Sequence, residues 1–91
     1  MPTAERTVTL INKVGLHARP ATAFVQTAAR FASSITVECN GRTADAKRIV
    51  KVLQLGAERG AQLHIVADGP DAEAAVDALR QLVLDRFGEP E

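Results

Sequence analysis

Tryptophan and tyrosine are absent from this 91-residue chain and phenylalanine occurs three times, so any core must be assembled from Ala, Val, Leu and Ile. With 46% hydrophobic residues there is material for one core but not for two domains or a deep cleft. A single α+β domain over residues 1–91 is expected, with residues 88–91 as a frayed tail and any functional site at the surface. Long apolar runs are missing too: no segment approaches the roughly 20 apolar residues of a membrane span, which argues against membrane insertion. Residues 1–6 mix acid and base with no apolar stretch behind them, unlike a secretory leader. The lone Cys39 cannot form an internal disulfide, which suits a reducing cytoplasm. It alternates with Ile35 and Val37 and reads as a small core side chain. Two histidines and one cysteine without ligand spacing offer no metal site. No Gly-x-x-x-x-Gly-Lys-Ser/Thr loop or dinucleotide fingerprint is present, so no cofactor is expected and any phosphate must come from a partner.

Net charge is zero, which argues against a dedicated nucleic-acid binder. The charges are nevertheless segregated. Residues 1–60 hold nine Lys or Arg against four Asp or Glu, and residues 61–91 hold two against seven. Either one face is basic or two solvated faces merely differ.

The hydrophobic pattern predicts seven elements. Residues 6–11 alternate, with Val8 and Leu10 on one face, as in a half-buried strand. From Pro20, the residues Ala21, Phe24, Val25 and Ala28 follow helical spacing as far as about Arg30. Residues 34–39 alternate again, and Asn40-Gly41 supplies the positive-φ pair of a two-residue hairpin whose return runs over 42–45. Ile49, Val52 and Leu53 mark a short helix closed by Gly56 or Gly60. Leu63, Ile65 and Ala67 mark a fourth strand, with His64 on its opposite, surface side. After the Asp68-Gly69-Pro70 turn, Ala72, Ala75, Val76, Leu79, Leu82 and Val83 form one stripe of a last helix. Pro70 suits its first turn, and Asp71 and Glu73 suit its positive end. The order βαββαβα fits four antiparallel strands covered on one face by three helices, the other face staying wet.

The segment Gly15-Leu16-His17-Ala18-Arg19-Pro20-Ala21 lies where the first strand has ended and the first helix begins. Amides in a helix's first turn lack intrahelical partners and carry partial positive charge, so the backbone of Ala18 and Arg19 can favour a phosphate. Pro20 biases Arg19 away from helical geometry, which predicts an exposed lip of His17, Ala18 and Arg19. An imidazole is a nucleophile near neutral pH and, once phosphorylated, stays reactive enough to pass the group on. Arg19 adds planar donors and a fixed charge for phosphoryl oxygens. The residues alone leave a second reading open, in which His17 and Arg19 are solvated turn residues.

The same seven residues closely resemble the active-site motif of the HPr family, the phosphocarriers of the bacterial phosphoenolpyruvate-dependent phosphotransferase system. The similarity continues through Ala46-Lys47 and Leu55-Gly56 to Asp68-Gly69-Pro70-Asp71, in the family's order and spacing. It implies an open-faced β-sandwich, phosphorylation of Nδ1 of His17 by Enzyme I, and transfer to an Enzyme IIA. It also implies an assisting role for Arg19. Members serve sugar uptake or a nitrogen-related phosphorelay, and sugar uptake is the reading preferred here.

The resemblance further implies a docking surface shared by the first two helices. Thr22, Lys47, Arg48, Ile49, Val50, Lys51 and Gln54 are its candidates, while Phe24 is assigned to the core. Val50 falls off the Ile49, Val52, Leu53 stripe and is ringed by Lys47, Arg48 and Lys51, as a transient interface with an acidic partner requires. Arg48 stands where many members carry a serine used by a regulatory kinase, and a guanidinium cannot form that phosphate ester. A phosphoryl-carrying monomer is the main expectation and a non-catalytic interaction module the competitor. An independent enzyme is disfavoured, since no pocket and no second acid or base is foreseen near His17.

Overall fold

The computed structural model describes residues 2–89. Four strands, β1 (Thr3–Thr9), β2 (Ser34–Cys39), β3 (Arg42–Asp45) and β4 (Gln62–Asp68), and three helices, α1 (Ala18–Ala28), α2 (Ile49–Gln54) and α3 (Ala72–Leu84), follow one another as βαββαβα. The sheet is antiparallel throughout, in the order β1-β4-β2-β3. Its central strand β4 pairs Thr7 with His64 on one side and Glu38 with His64 on the other. No described helix is long and apolar enough to cross a membrane.

Strand periodicity decides which face is covered. Ala4 and Val8, then Ile35, Val37 and Cys39, then Ala44, then Leu63, Ile65 and Ala67 are buried beneath the helices. Their neighbours in sequence lie on the uncovered face, as period-two side chains must. The helices complete the core with Ala21, Phe24 and Ala28 of α1, Val52 of α2, and Ala72, Ala75, Val76, Leu79 and Val83 of α3. The result is the open-faced α+β sandwich that the pattern predicts, with small residues letting α1 and α3 lie close to the sheet. Between β2 and β3, Asn40 (φ 54°) and Gly41 (φ 79°) both take positive φ, which matches the twist of the flanking strands.

Several expectations need correction. The first strand begins at Thr3 and ends at Thr9, because Arg6 occupies the helix-side face without breaking the ladder. Its guanidinium reaches Glu73 at 3.2 Å and Asp77 at 3.0 Å on α3. The short helix does not bury an Ile49, Val52, Leu53 stripe. Only Val52 is buried, while Ile49 and Leu53 stay 37% and 44% exposed, since six residues give too short a helix to turn three side chains inward. Pro70 precedes α3 instead of lying in its first turn. Asp71 does stand at the start of α3, as expected, but its carboxylate accepts from the amides of Ala32 (2.8 Å) and Ser33 (2.9 Å) and from the Ser33 hydroxyl. Those bonds hold the Asp71 carboxyl below its ordinary range, the Ser33 hydroxyl contributing most.

Of the expected tail at 88–91, residues 88 and 89 are described and belong to a turn at the end of α3. Arg86, Phe87 and Gly88 form a left-handed turn (φ 54°, 56° and 80°), and Phe87 packs against the core. Glu89 donates its amide to the carbonyl of Arg86 at 2.9 Å. Residues 90 and 91 lie outside the described residues.

Candidate functional site

His17 is the residue immediately before α1, with extended backbone (φ −92°, ψ −167°) and a side chain that makes no capping bond. Its carbonyl accepts the first helical bond, from Ala21 at 2.8 Å. The amides of Ala18 and Arg19 therefore stand at the open end of the helix with no intrahelical acceptor. The expectation that Arg19 is driven out of the helix fails, because α1 already includes Ala18 and Arg19. Pro20 lies within the first turn, where its missing N–H costs no helical bond and the pre-proline restriction is overcome. The exposure of the lip is as predicted: His17, Ala18 and Arg19 are exposed while Leu16 and Pro20 are buried.

Backbone bonds hold this lip from below. The Leu16 amide donates to the Ala57 carbonyl at 3.0 Å, Leu10 donates to Ala61 at 2.9 Å, and Gly60 donates to Leu10 at 2.8 Å. Residues 10–16 and 57–61 thereby form one strapped unit. Gly15 is required by this approach. At φ 65° a Cβ there would sit 2.6 Å from the Ala57 carbonyl oxygen and 2.7 Å from Cα of Glu58, so backbone on both sides would have to shift. Asn12, fully buried, braces the turn by donating to the Gly15 carbonyl at 2.9 Å. It also reaches Glu89 Oε1 at 3.4 Å.

An open depression of about 670 Å³ lies against His17, lined by Lys13, Val14, Ala18, Arg19, Pro20, Glu58, Arg59 and Glu89. The pattern of the sequence foresees no such hollow, nor the carboxylates in it. Arg19 and Arg59 make no side-chain hydrogen bond or ion pair with any described residue. Lys13, Glu58, Arg59 and Glu89 escape a reading by periodicity, because they come from three segments far apart in sequence, joined by long-range backbone bonds and by the Asn12–Glu89 contact. Gly15 and Gly60, flanking the strap at positive φ, are the one local hint.

The docking candidates sit apart from this hollow. Val50 is 60% exposed, and with Ile49 and Leu53 it makes an apolar surface on α2. Arg48, just before α2, and Lys51 are exposed and, with Lys47, line a separate depression against Ser34–Thr36 and Thr43–Asp45. Lys47 is partly withdrawn from the rim: its ammonium donates to the Phe31 carbonyl at 2.7 Å. Thr22 is exposed but turns its hydroxyl back to the Ala18 carbonyl at 2.9 Å. Gln54 is exposed and its carbonyl accepts from Arg42 at 3.1 Å. Phe24 is fully buried, in the core as assigned.

The two remaining side chains of interest are structural. Cys39 is buried and unpaired, and burial pushes its thiol up, away from the reactive thiolate. His64 lies on the uncovered sheet face, with Nδ1 at 3.0 Å from the Thr7 hydroxyl and Nε2 at 3.1 Å from Glu5.

A small sheet-and-helix domain that offers an imidazole and a guanidinium at an open helix end, with no enclosed chamber beside them, defines a class: carriers that present their group to other proteins. The chain belongs to the HPr family, for the family model of the PTS HPr component phosphorylation site matches residues 4–85. A phosphocarrier protein HPr of Cupriavidus necator is 45% identical over 87 residues, 96% of this chain and 98% of that protein. One of Xylella fastidiosa is 40% identical, over 93% and 96% of the two chains. The crystal structure of HPr-C-His from Thermoanaerobacter tengcongensis superposes with a TM-score of 0.93 at 43% identity, covering 97% of this chain and 99% of that one. The protein is thus a phosphocarrier of the phosphotransferase system and not a stand-alone catalyst.

Proposed function

We propose that His17 is the residue that carries the phosphoryl group, receiving it from Enzyme I and giving it to an Enzyme IIA in sugar uptake. The observation that supports this most directly is the exposed imidazole at the open end of α1, beside Arg19 and the amides of Ala18 and Arg19. In the transfer, an uncharged imidazole nitrogen of His17 uses its lone pair to form a nitrogen–phosphorus bond as the donor's bond to phosphorus breaks. The transferred phosphoryl group brings negative charge to a site where the uncharged imidazole had none. The helix end and Arg19, which line the same depression as His17, would offset that charge. Reversal on an acceptor uses the same contacts, which suits a carrier that must release its cargo.

Docking is assigned to the exposed side of α2, where Ile49, Val50 and Leu53 supply apolar contact. Arg48 and Lys51 supply long-range attraction to an acidic partner. Thr22 and Gln54 are assigned to its margin, and Lys47 contributes less because the Phe31 carbonyl holds it. Arg48 removes the hydroxyl that a regulatory kinase would need at that position. The carrier is read as a cytoplasmic monomer, in keeping with the unpaired, buried Cys39.

The test mixes the purified protein with Enzyme I, magnesium and labelled phosphoenolpyruvate, using wild type and His17→Ala. An acid-labile, base-stable label in the wild type alone supports the reading. Label retained in His17→Ala, or none in either with active Enzyme I, overturns it.

A further inference from the structure

The depression beside His17 contains a second guanidinium that no resemblance of the sequence pointed to. We infer that Arg59 is a second cationic contact for the phosphoryl group on His17, an inference that rests on His17 being the acceptor. Three observations converge on it.

First, the main chain fixes where Arg59 stands. The Ala57 carbonyl is bonded to Leu16, the residue before His17, and Gly60 and Ala61 are bonded to Leu10 on the other side. Ala61 also donates to the Glu58 carbonyl at 2.9 Å, closing a turn with Arg59 at its tip. Gly15 allows the two segments to touch, since a Cβ there would collide with Ala57 and Glu58. The main chain at Arg59 is thus tethered beside the His17 segment by backbone bonds on both flanks. Second, Arg59 lines the same hollow as His17 and Arg19. Its side chain is exposed and makes no hydrogen bond or ion pair with a described residue, so contact with an anion breaks no existing bond. Third, the charges around the hollow are unbalanced in the needed direction. Lys13, Arg19 and Arg59 face Glu58 and Glu89, and Glu89 is engaged by Asn12 at 3.4 Å. A phosphoryl group bearing up to two negative charges would reverse that balance, and a planar guanidinium is the donor geometry suited to its oxygens.

A cation in contact with a phosphoryl group favours its dianion and lowers its second ionisation, so phosphorus NMR of the phosphorylated protein reads the contact directly. Wild type, Arg59→Ala and Arg59→Lys are phosphorylated with Enzyme I and phosphoenolpyruvate and titrated from pH 5 to 9. Removing the charge in Arg59→Ala is expected to raise the phosphoryl midpoint by about half a pH unit, a screened surface interaction. Arg59→Lys should recover most of that shift. Because Arg59 is exposed, urea midpoints should not move, which separates charge loss from misfolding. A labelled Arg59→Ala protein with an unchanged phosphoryl midpoint overturns the inference alone. Slower labelling with an unchanged midpoint also overturns it, since Arg59 would then be meeting carboxylates of the donor protein. A wild type that takes no label overturns the His17 reading and this inference together.

Discussion

Helices α2 and α3 lie on the same side of the sheet and use apolar residues in opposite ways. In α3, Ala72, Ala75, Val76, Leu79 and Val83 all face inward. In α2, only Val52 does, while Ile49, Val50 and Leu53 face water. Their entrances differ as well. Asp71 ties the start of α3 to Ala32 and Ser33, whereas the Arg48 side chain at the start of α2 makes no hydrogen bond or ion pair with a described residue. Equal hydrophobicity in sequence therefore marks a stability element in one case and a contact surface in the other. Length decides between them, because thirteen residues can wrap a stripe around the core and six cannot.

Paired truncations should expose this contrast most strongly. Leu79→Ala removes a fully buried side chain and should lower unfolding free energy by about 3 kcal/mol. Leu53→Ala should change it by roughly 0.5 kcal/mol or less, with both values taken from urea unfolding. Comparable losses at the two sites would erase the distinction.

A smaller effect, confined to one pH range, is expected at the entrance of α3. Folding lowers the Asp71 carboxyl pKa below its ordinary 3.8. The ionised form is therefore the one that stabilises the fold. Its contribution is complete above the ordinary value and is lost as pH falls through the depressed one. Wild type should thus exceed Asp71→Asn in stability near neutral pH, and the gap should narrow below about pH 4. A gap that stays constant down to pH 2 would show that Asp71 acts by shape and not by charge.

A change about as small as that at Leu53, but stabilising, should come at the entrance of α2. Arg48→Ser supplies an oxygen that can accept from an amide of the first turn, and should stabilise the protein by about 0.5 kcal/mol. Thermal unfolding of the two proteins would check it; a lower midpoint in Arg48→Ser would mean that α2 gains nothing from a cap.

The parts of the fold legible in sequence were those set by short-range rules. The β2–β3 hairpin follows from strict alternation around Asn40-Gly41, and α3 follows from its long stripe. What stayed hidden depended on distant partners. The alternation places the start of β1 at Arg6, and only the ion pairs of Arg6 with Glu73 and Asp77 show why the strand runs on through it from Thr3. Lys47 reads as a free rim charge until the Phe31 carbonyl is placed beneath it. At the site, His17 and Arg19 stood out because they share one turn with the helix end. Arg59 did not, since forty-odd residues separate it from His17 and nothing in its own neighbourhood signals the strap.

That strap joins residues 10–16 to residues 57–61 through main-chain groups, and its one demand on side chains is that position 15 have none. The side chains of Val14, Glu58 and Arg59 can consequently be exchanged without moving the histidine they surround. The arrangement separates two design variables: where the reacting group stands, and what chemical environment it meets. A carrier built this way can be retuned toward different partners by surface substitution alone, with the scaffold held constant.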